Sequence, residues 1–376
     1  MKKLFLLLVF IPVFVFAASA EAMYSPTWGF FIDLPEGYEY EDGDGMNRFS
    51  FSGPAGLMFD IVVYDGRFDS ILELVKDINI RLSNNGDVDF FLYNGKQAAI
   101  IELIFGGNSG WGLAVELGNS GSGNNPILLA LSYGSDDISD LEIFHLSALD
   151  SIAPTFVDRR YPGPIIEYGF PRGEPRNVPL AIGGLSAMIY ENDAEAAQVL
   201  IEREFAISMA YFNTPYMQEA VTRYYRFIFR DSFDRISDAA SVLVNYFGGF
   251  SAVTDEQKRE FAQKTLLFLQ SFHYERDLSG SDFINLVTAV TEGRGDCDPR
   301  AMLFAVLLSN ANIPSGIMLS LHYSHAMGIA DITGAGARLE SHGIQWLVAE
   351  TTSYVDIGLI ALDQSDPQYW FAILFD

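Results

Sequence analysis

Between Asp158 and Pro179 the chain carries Pro162, Pro164, Pro171, Pro175 and Pro179 together with three glycines. Each proline removes a backbone donor and biases the residue before it away from helix. The segment therefore reads as a linker or boundary, and regular structure has to be built on either side of it. The hydrophobic periodicity changes across it. From Trp28 to about Pro154 short apolar runs alternate with turn residues, which is the pattern of strands: 30–34 ends at Pro35-Glu36-Gly37, and Asn94-Gly95 joins Phe90–Tyr93 to Ala98–Phe105 as a hairpin. One helix interrupts them, with Ser70 and Glu73 as a capping box ahead of Ile71, Leu74, Val75 and Ile78. A second short helix is expected near Ser139–Leu149, and the Gly/Ser/Asn run Gly118–Asn125 reads as a surface loop.

Beyond the prolines the signal turns helical, from Asn192 to Gln270. Asn192 with Glu195 caps a run to Tyr211, Glu219–Phe233 and Ser237–Phe247 follow, and Thr254 with Gln257 caps a run through Gln270. After Pro314 come two β-like runs, Gly316–Ile332 and Ile344–Thr352, and no internal repeat is visible. At ~150 residues per domain the length implies about two domains. The reading is α+β: an accessory domain over 23–157, a linker over 158–179, and a second domain over 180–376.

Composition narrows the function classes. Apolar residues make up 49% of the 376-residue chain and charged residues 19%, which supports sizeable cores. The net charge of −26 repels phosphate backbones and anionic lipid, so no nucleic-acid partner is expected. One cysteine excludes an internal disulfide, and five histidines without metal-ligand spacing leave no metal or other cofactor to expect. Lys2 and Lys3 precede an apolar run, Leu4–Phe16, with Ala18-Ser19-Ala20 behind it. That is the layout of a signal peptide over 1–20, too short to span a bilayer comfortably, and without a lipoprotein cysteine. The expectation is export to the periplasm or beyond, with no stable membrane anchor after cleavage.

The chemistry concentrates in Glu292-Gly-Arg-Gly-Asp-Cys-Asp-Pro-Arg-Ala-Met-Leu-Phe-Ala-Val-Leu-Leu308. Glycines give the chain a tight approach, and Asp298-Pro299 opens a helix, which puts Cys297 at a helix N-terminus. There the macrodipole and free amides favour a thiolate and a lowered pKa. The residues that follow are apolar nearly all round, so the helix is expected to be buried. A nucleophile needs a base, and the base needs an orienting partner. His325 lies in the extended run Leu319–Ala330, sharing a face with Met327 and Ile329, and Glu350 ends the next run; adjacent antiparallel strands would bring the two side by side. His322, three residues away, is the alternative base, expected on the opposite face, and His342 is expected in an exposed loop.

Gly293-x-Gly295-Asp296-Cys297-Asp298, then His325, then Trp346-x-x-x-Glu350-x-Thr352 resembles the core of the transglutaminase-like superfamily of papain-like cysteine enzymes. The resemblance covers about Leu266–Thr352, and Phe268–Tyr274 with Asp277 is similar to the segment that precedes the cysteine helix in bacterial members. It implies Cys297 as nucleophile, His325 as base and Glu350 as orienting acid, in a fold whose cysteine helix packs on an antiparallel sheet. Two positions depart from the pattern: the third member is commonly Asp, and an aromatic often stands where Met327 does. For the oxyanion the Cys297 amide is a donor candidate, with Gln270 and Tyr274 as side-chain candidates. Calcium sites like those of the animal enzymes are not visible. The N-terminal region resembles, more diffusely, the PsbP-like domain, here closing on Leu149-Asp150-Ser151-Ile152; that implies an α/β sandwich with an antiparallel sheet, used as a binding or accessory module.

Two short motifs have plainer readings. Arg294-Gly295-Asp296 spells an adhesion tripeptide but belongs to the cysteine motif, and Asp42-Gly43-Asp44-Gly45 lacks the later ligands of a calcium loop and reads as a hairpin turn. The expected function is an exported cysteine enzyme that cleaves or transfers amide bonds of a protein or peptide through an acyl-thioenzyme. The alternative is a non-catalytic envelope binding or scaffold protein that retains the fold.

Overall fold

The computed structural model describes residues 23–118, 125–135, 141–276 and 280–375. The expected leader, most of the Gly118–Asn125 loop and Asp277 lie outside the described residues. The architecture is mixed α+β, with antiparallel sheets toward both ends and a helix-rich middle.

Strands β1 (Met23–Tyr24) and β2 (Phe31–Ile32) form a short pair. A seven-stranded antiparallel sheet follows, made of β3 (Glu39–Gly43), β4 (Arg48–Ser52), β5 (Met58–Tyr64), β6 (Val88–Tyr93), β7 (Lys96–Phe105), β8 (Asn108–Glu116) and β9 (Ile127–Ser135) in the order β3-β4-β5-β9-β8-β7-β6. Its central strands read as continuous apolar runs because both faces are covered. Ala98 and Ile100 face one core, where Ala148 and Leu149 of α2 (Glu142–Asp150) pack. Ala99, Ile101 and Leu103 face the other, under Leu74, Val75 and Ile78 of α1 (Ile71–Leu82). The Ser70 hydroxyl caps α1 by accepting from Glu73 N at 3.2 Å, but the Glu73 carboxylate returns to Asp69 N and not to Ser70, so the expected box is shifted by one residue. At Asp42–Gly45 the β3–β4 turn is held by Asp44 Oδ1, which accepts from the amides of Met46, Asn47 and Arg48.

The proline-rich segment is not a free linker. It contains α3 (Pro164–Gly169), opened by a proline in its first turn where the missing donor costs nothing, and β10 (Pro175–Pro179), paired with β11 (Ser186–Tyr190). Ile165 is buried in the N-terminal core and Ile166 in the C-terminal one. The prolines mark the seam between the two cores and are themselves folded into it.

Helices α5 (Met217–Arg235), α6 (Ser237–Phe247), α7 (Asp255–Gln270) and α8 (Leu286–Glu292) pack around α9 (Cys297–Asn310), and α4 (Asp193–Ala210) packs on α5 and α8. The Thr254–Gln257 capping box opens α7. Asn192 does not cap α4 with its side chain, which donates to Pro171 O; Asp193 accepts from Tyr190 N instead and is claimed by Arg235. In α9 every residue from Pro299 to Leu308 is buried, Arg300 included, as the apolar run around it requires. It lies on a five-stranded antiparallel sheet in the order β14-β15-β13-β12-β16, comprising β12 (Ser315–Ser320), β13 (His325–Ala330), β14 (Arg338–Ser341), β15 (Ile344–Ala349) and β16 (Phe371–Leu374). The expected single run Gly316–Ile332 is a hairpin: β12 and β13 pair from Ser315↔Ala330 to Ser320↔His325, with a turn at 321–324. Ser324 takes positive φ there, a reversal the apolar pattern does not announce.

Candidate active site

The cysteine is placed by backbone conformation. Gly293 (φ +68) ends α8 in the left-handed region, and Gly295 (φ +148) turns the chain into α9. A Cβ on Gly295 would lie 2.7 Å from the Pro299 ring, so both conformation and space call for glycine. The loop is clipped to the segment after α7: His273 N donates to Gly293 O at 2.8 Å and Gly295 N to His273 O at 3.1 Å. Asp296 is the N-cap, its Oδ1 accepting from Asp298 N at 3.1 Å. Cys297 is thus the first residue of α9, 7% exposed, with its sulfur facing the backbone of Ala326.

His325 and Glu350 come from neighbouring antiparallel strands, β13 and the end of β15. His325 Nε2 lies 2.9 Å from Glu350 Oε2. Glu350 Oε1 accepts from Thr352 N at 2.7 Å and from Thr352 Oγ1 at 2.6 Å, so both carboxylate oxygens are held. Burial works to raise the Glu350 carboxyl, and the bonds from His325 and Thr352 outweigh it, leaving it below its ordinary value. An ionised Glu350 accepts from Nε2–H of His325 and fixes the orientation of the ring. Beyond His325, the Trp370 ring centroid stands 6.2 Å from the imidazole.

The electrostatics at sulfur differ from the sequence expectation. Burial, then Asp298, then Asp296, push the Cys297 thiol well above its ordinary value. One carboxylate oxygen of each aspartate and the sulfur all lie within 4.8 Å of one another, and Sγ is 3.8 Å from Asp298 Oδ1. Against two carboxylates and desolvation, the helix N-terminus is the smaller effect. Asp296 itself is pushed up to about 7 by burial and by the charge of Asp298. Asp298 is also raised by burial, while Tyr225 and His325 act to lower it.

The remaining expected positions divide. Gln270 is buried, and Nε2 donates to Glu350 O at 2.8 Å and to Val355 O at 3.0 Å. Both of its N–H groups are committed, so it clamps the Glu350 backbone and has none left for an oxyanion. Tyr274 is half exposed, with Cys297 acting on its hydroxyl electrostatically. Trp346 is buried with Met327 and Ile329 on the sheet face away from α9, and its Nε1 donates to Ser341 O at 3.1 Å; it supports the strand. His322 sits in the hairpin turn, stacked on Tyr369 at 4.1 Å, away from Glu350. Asp296 is buried and Arg294 pairs with Glu292 and Glu275, so the adhesion tripeptide is not displayed.

Sequence reasoning passes over Arg300. It is 2% exposed, and its Nε donates to Gly295 O and its Nη2 to Phe272 O, both at 2.9 Å. The signal is there: an arginine inside a helix that is apolar on every side must have internal partners.

No family model matches the chain, and no curated protein matches it. Among solved structures, the chain is similar to a cyanobacterial PsbP (CyanoP) from Synechocystis sp. PCC 6803 at 15% identity and TM-score 0.28, over 37% of this chain and 94% of that one. It is similar to calcium-bound Legionella pneumophila LapG at 15% identity and TM-score 0.25, over 46% and 87%. A structure from Bacteroides thetaiotaomicron VPI-5482 matches at 12% identity and TM-score 0.21, over 61% and 80%. Likenesses this distant assign no activity, and the site has to be read from its own residues.

Proposed function

We propose that the chain is an exported cysteine-dependent enzyme that cleaves or transfers amide bonds of a protein or peptide, with a transglutaminase-like domain over 180–376 and a PsbP-like accessory domain over 23–157. The observation that carries the reading is the His325 Nε2–Glu350 Oε2 pair at 2.9 Å, set on the strand whose Ala326 backbone meets the sulfur of Cys297.

In this reading Cys297 Sγ attacks the amide carbonyl carbon as its proton passes to His325 Nδ1. Because burial and the two aspartates hold sulfur as a thiol, proton transfer accompanies attack and no resting thiolate is required. The Cys297 amide, at the first turn of α9 and beside its own sulfur, is the oxyanion donor, with Tyr274 as the side-chain candidate. Collapse breaks the C–N bond, and His325 returns its proton to the leaving amine. Water or a second amine, deprotonated by His325, then releases the acid or a new amide and restores the thiol. Glu350 holds the imidazole in one tautomer and stabilises its charged form throughout.

The test is a peptide library incubated with the purified chain, with and without added hydroxylamine, read by mass spectrometry. Cleaved or hydroxamate products are expected with the native chain and absent with Cys297→Ala; products that persist in that variant contradict the reading. A second reading, a non-catalytic binding protein, is favoured by the burial of the thiol and by Gln270 having no free donor. It predicts no turnover in either chain.

A further inference from the structure

Three buried arginines invite comparison. Arg223 is buried against the Glu204 carboxylate at 2.7 Å. Arg235 is buried against Asp193 and Asp231, each at 2.9 Å. Arg300 is equally buried, and among the described residues its hydrogen bonds go to carbonyl oxygens: Gly295 O at 2.9 Å, Phe272 O at 2.9 Å and Thr351 O at 3.4 Å. Taking a guanidinium out of water costs several kcal/mol that an ion pair would normally offset; among the described residues no carboxylate pairs with Arg300 directly, and Asp296 acts on it only through space.

The three carbonyls are not a random set. Gly295 lies two residues before Cys297, in the loop that aims it. Phe272 lies two residues before Tyr274, and the guanidinium is 5.6 Å from the Tyr274 ring centroid. Thr351 stands between Glu350, which is bonded to His325, and Thr352, which holds Glu350. One planar fork of donors therefore ties together the three segments that carry the site, which lie far apart in sequence. Arg300 also follows Cys297 by three residues on α9, one turn along the same face. The groups around the sulfur are Asp296, Asp298, Tyr225 and Tyr274, with His325 acting on Asp298; Arg276 reaches Asp296 from the exposed side at 3.8 Å, and Arg300 is the buried cation.

We propose that Arg300 is the positioning residue of this site: it locks the Cys297 loop, the Tyr274 arm and the Glu350 arm into one arrangement and supplies the counter-charge for negative charge that develops at Cys297. The inference rests on the enzymatic reading for its second half, while the lock itself stands on the geometry. Burial acts to lower the Arg300 pKa, and Asp296, Tyr274 and Cys297 act to restore it, so the charge is coupled to the same groups it holds.

The two roles, lock and mere filler of space, predict opposite signs at the single cysteine. Arg300→Ala is compared with the native chain by iodoacetamide alkylation of Cys297 at mildly alkaline pH, with near-UV circular dichroism to establish folding. Loss of the counter-charge should slow alkylation by about tenfold, the equivalent of raising the thiol pKa by one. Ethylguanidinium, occupying the vacated space, should restore part of the rate without changing the native chain. A folded variant that alkylates at the native rate or faster overturns the proposal, because loosened packing alone would expose the buried sulfur. If Arg300→Ala does not fold, Arg300→Lys decides. It keeps the charge and loses the fork, so alkylation should stay near native while acylation of Cys297 by an activated ester falls about tenfold, the same scale of effect. A lysine variant unchanged in both rates also overturns it. Should His325→Ala leave acylation of the native site untouched, the enzymatic reading fails, and the effect of Arg300 on alkylation remains a separate result.

Discussion

Cys297 sits between Asp296 and Asp298, and that pair decides the state of the sulfur more than the helix it begins. Replacing Asp298 by Asn keeps the shape of the side chain and removes the nearer of the two charges. The thiol pKa should fall, and alkylation of Cys297 at neutral pH should rise by about tenfold if it falls by one; an unchanged or slower rate would show that burial alone controls the sulfur. The residues of the candidate site are legible because chemistry restricts their types: a sole cysteine between glycines and aspartates, a histidine on a strand, an acid on the next. Arg300 is not legible as a partner of all three, since carbonyl acceptors carry no side-chain signature in a sequence. Gln270 misleads for the same reason: its donors are taken by the backbone at Glu350 and Val355, which no sequence pattern marks.

At the scale of elements, α9 and β13 have to approach closely for Cys297 and His325 to share one end of the sheet. Gly328 permits this. A Cβ there would lie 2.5 Å from the Phe304 ring on α9, so the helix lies flat on the strand only because that position is bare. Gly328→Ala should therefore lower stability by about 1–3 kcal/mol, the usual cost of overpacking a tight core, measured by chemical denaturation; a change within ~0.5 kcal/mol, the scatter of surface substitutions, would mean the layer has slack. The helices are readable from periodicity and caps, and α7 opens with the Thr254–Gln257 box the sequence implies. The β12–β13 hairpin is not, because the turn residues 321–324 include a leucine and a tyrosine and lack glycine and proline. Alternation that would distinguish two strands from one is lost where both faces are buried.

Across the whole molecule, the proline-rich stretch and α5 together form a polar seam between the two cores. Arg223 and Arg226 reach Asp33, and Arg230 caps the carbonyls of Asp150, Ser151, Ile152, Asp158 and Tyr161. Composition alone suggests a linker there, because proline content reports what the backbone cannot do and is silent on what packs against it. Glu36 lies in this seam with one buried carboxylate oxygen unpartnered, and burial pushes it up to about 7 against the attraction of Arg223. Below about pH 4.5 the group is protonated in both folded and unfolded chains and has no effect on stability. Between about 4.5 and 7 the unfolded chain has released the proton and the folded chain has not, so stability falls as pH rises; above 7 the penalty is constant. Glu36→Gln should flatten this slope, gaining on the native chain by on the order of 1–3 kcal/mol across that window. Parallel stability curves for the two chains would remove Glu36 from the account. Whether His325 serves Cys297 as a base is read by single-turnover acylation of Cys297 with p-nitrophenyl acetate, followed by intact mass in the native chain and in His325→Ala. A base poised beside the nucleophile predicts a fall of roughly 10²–10⁴-fold on removing His325; equal rates in the two chains would contradict it.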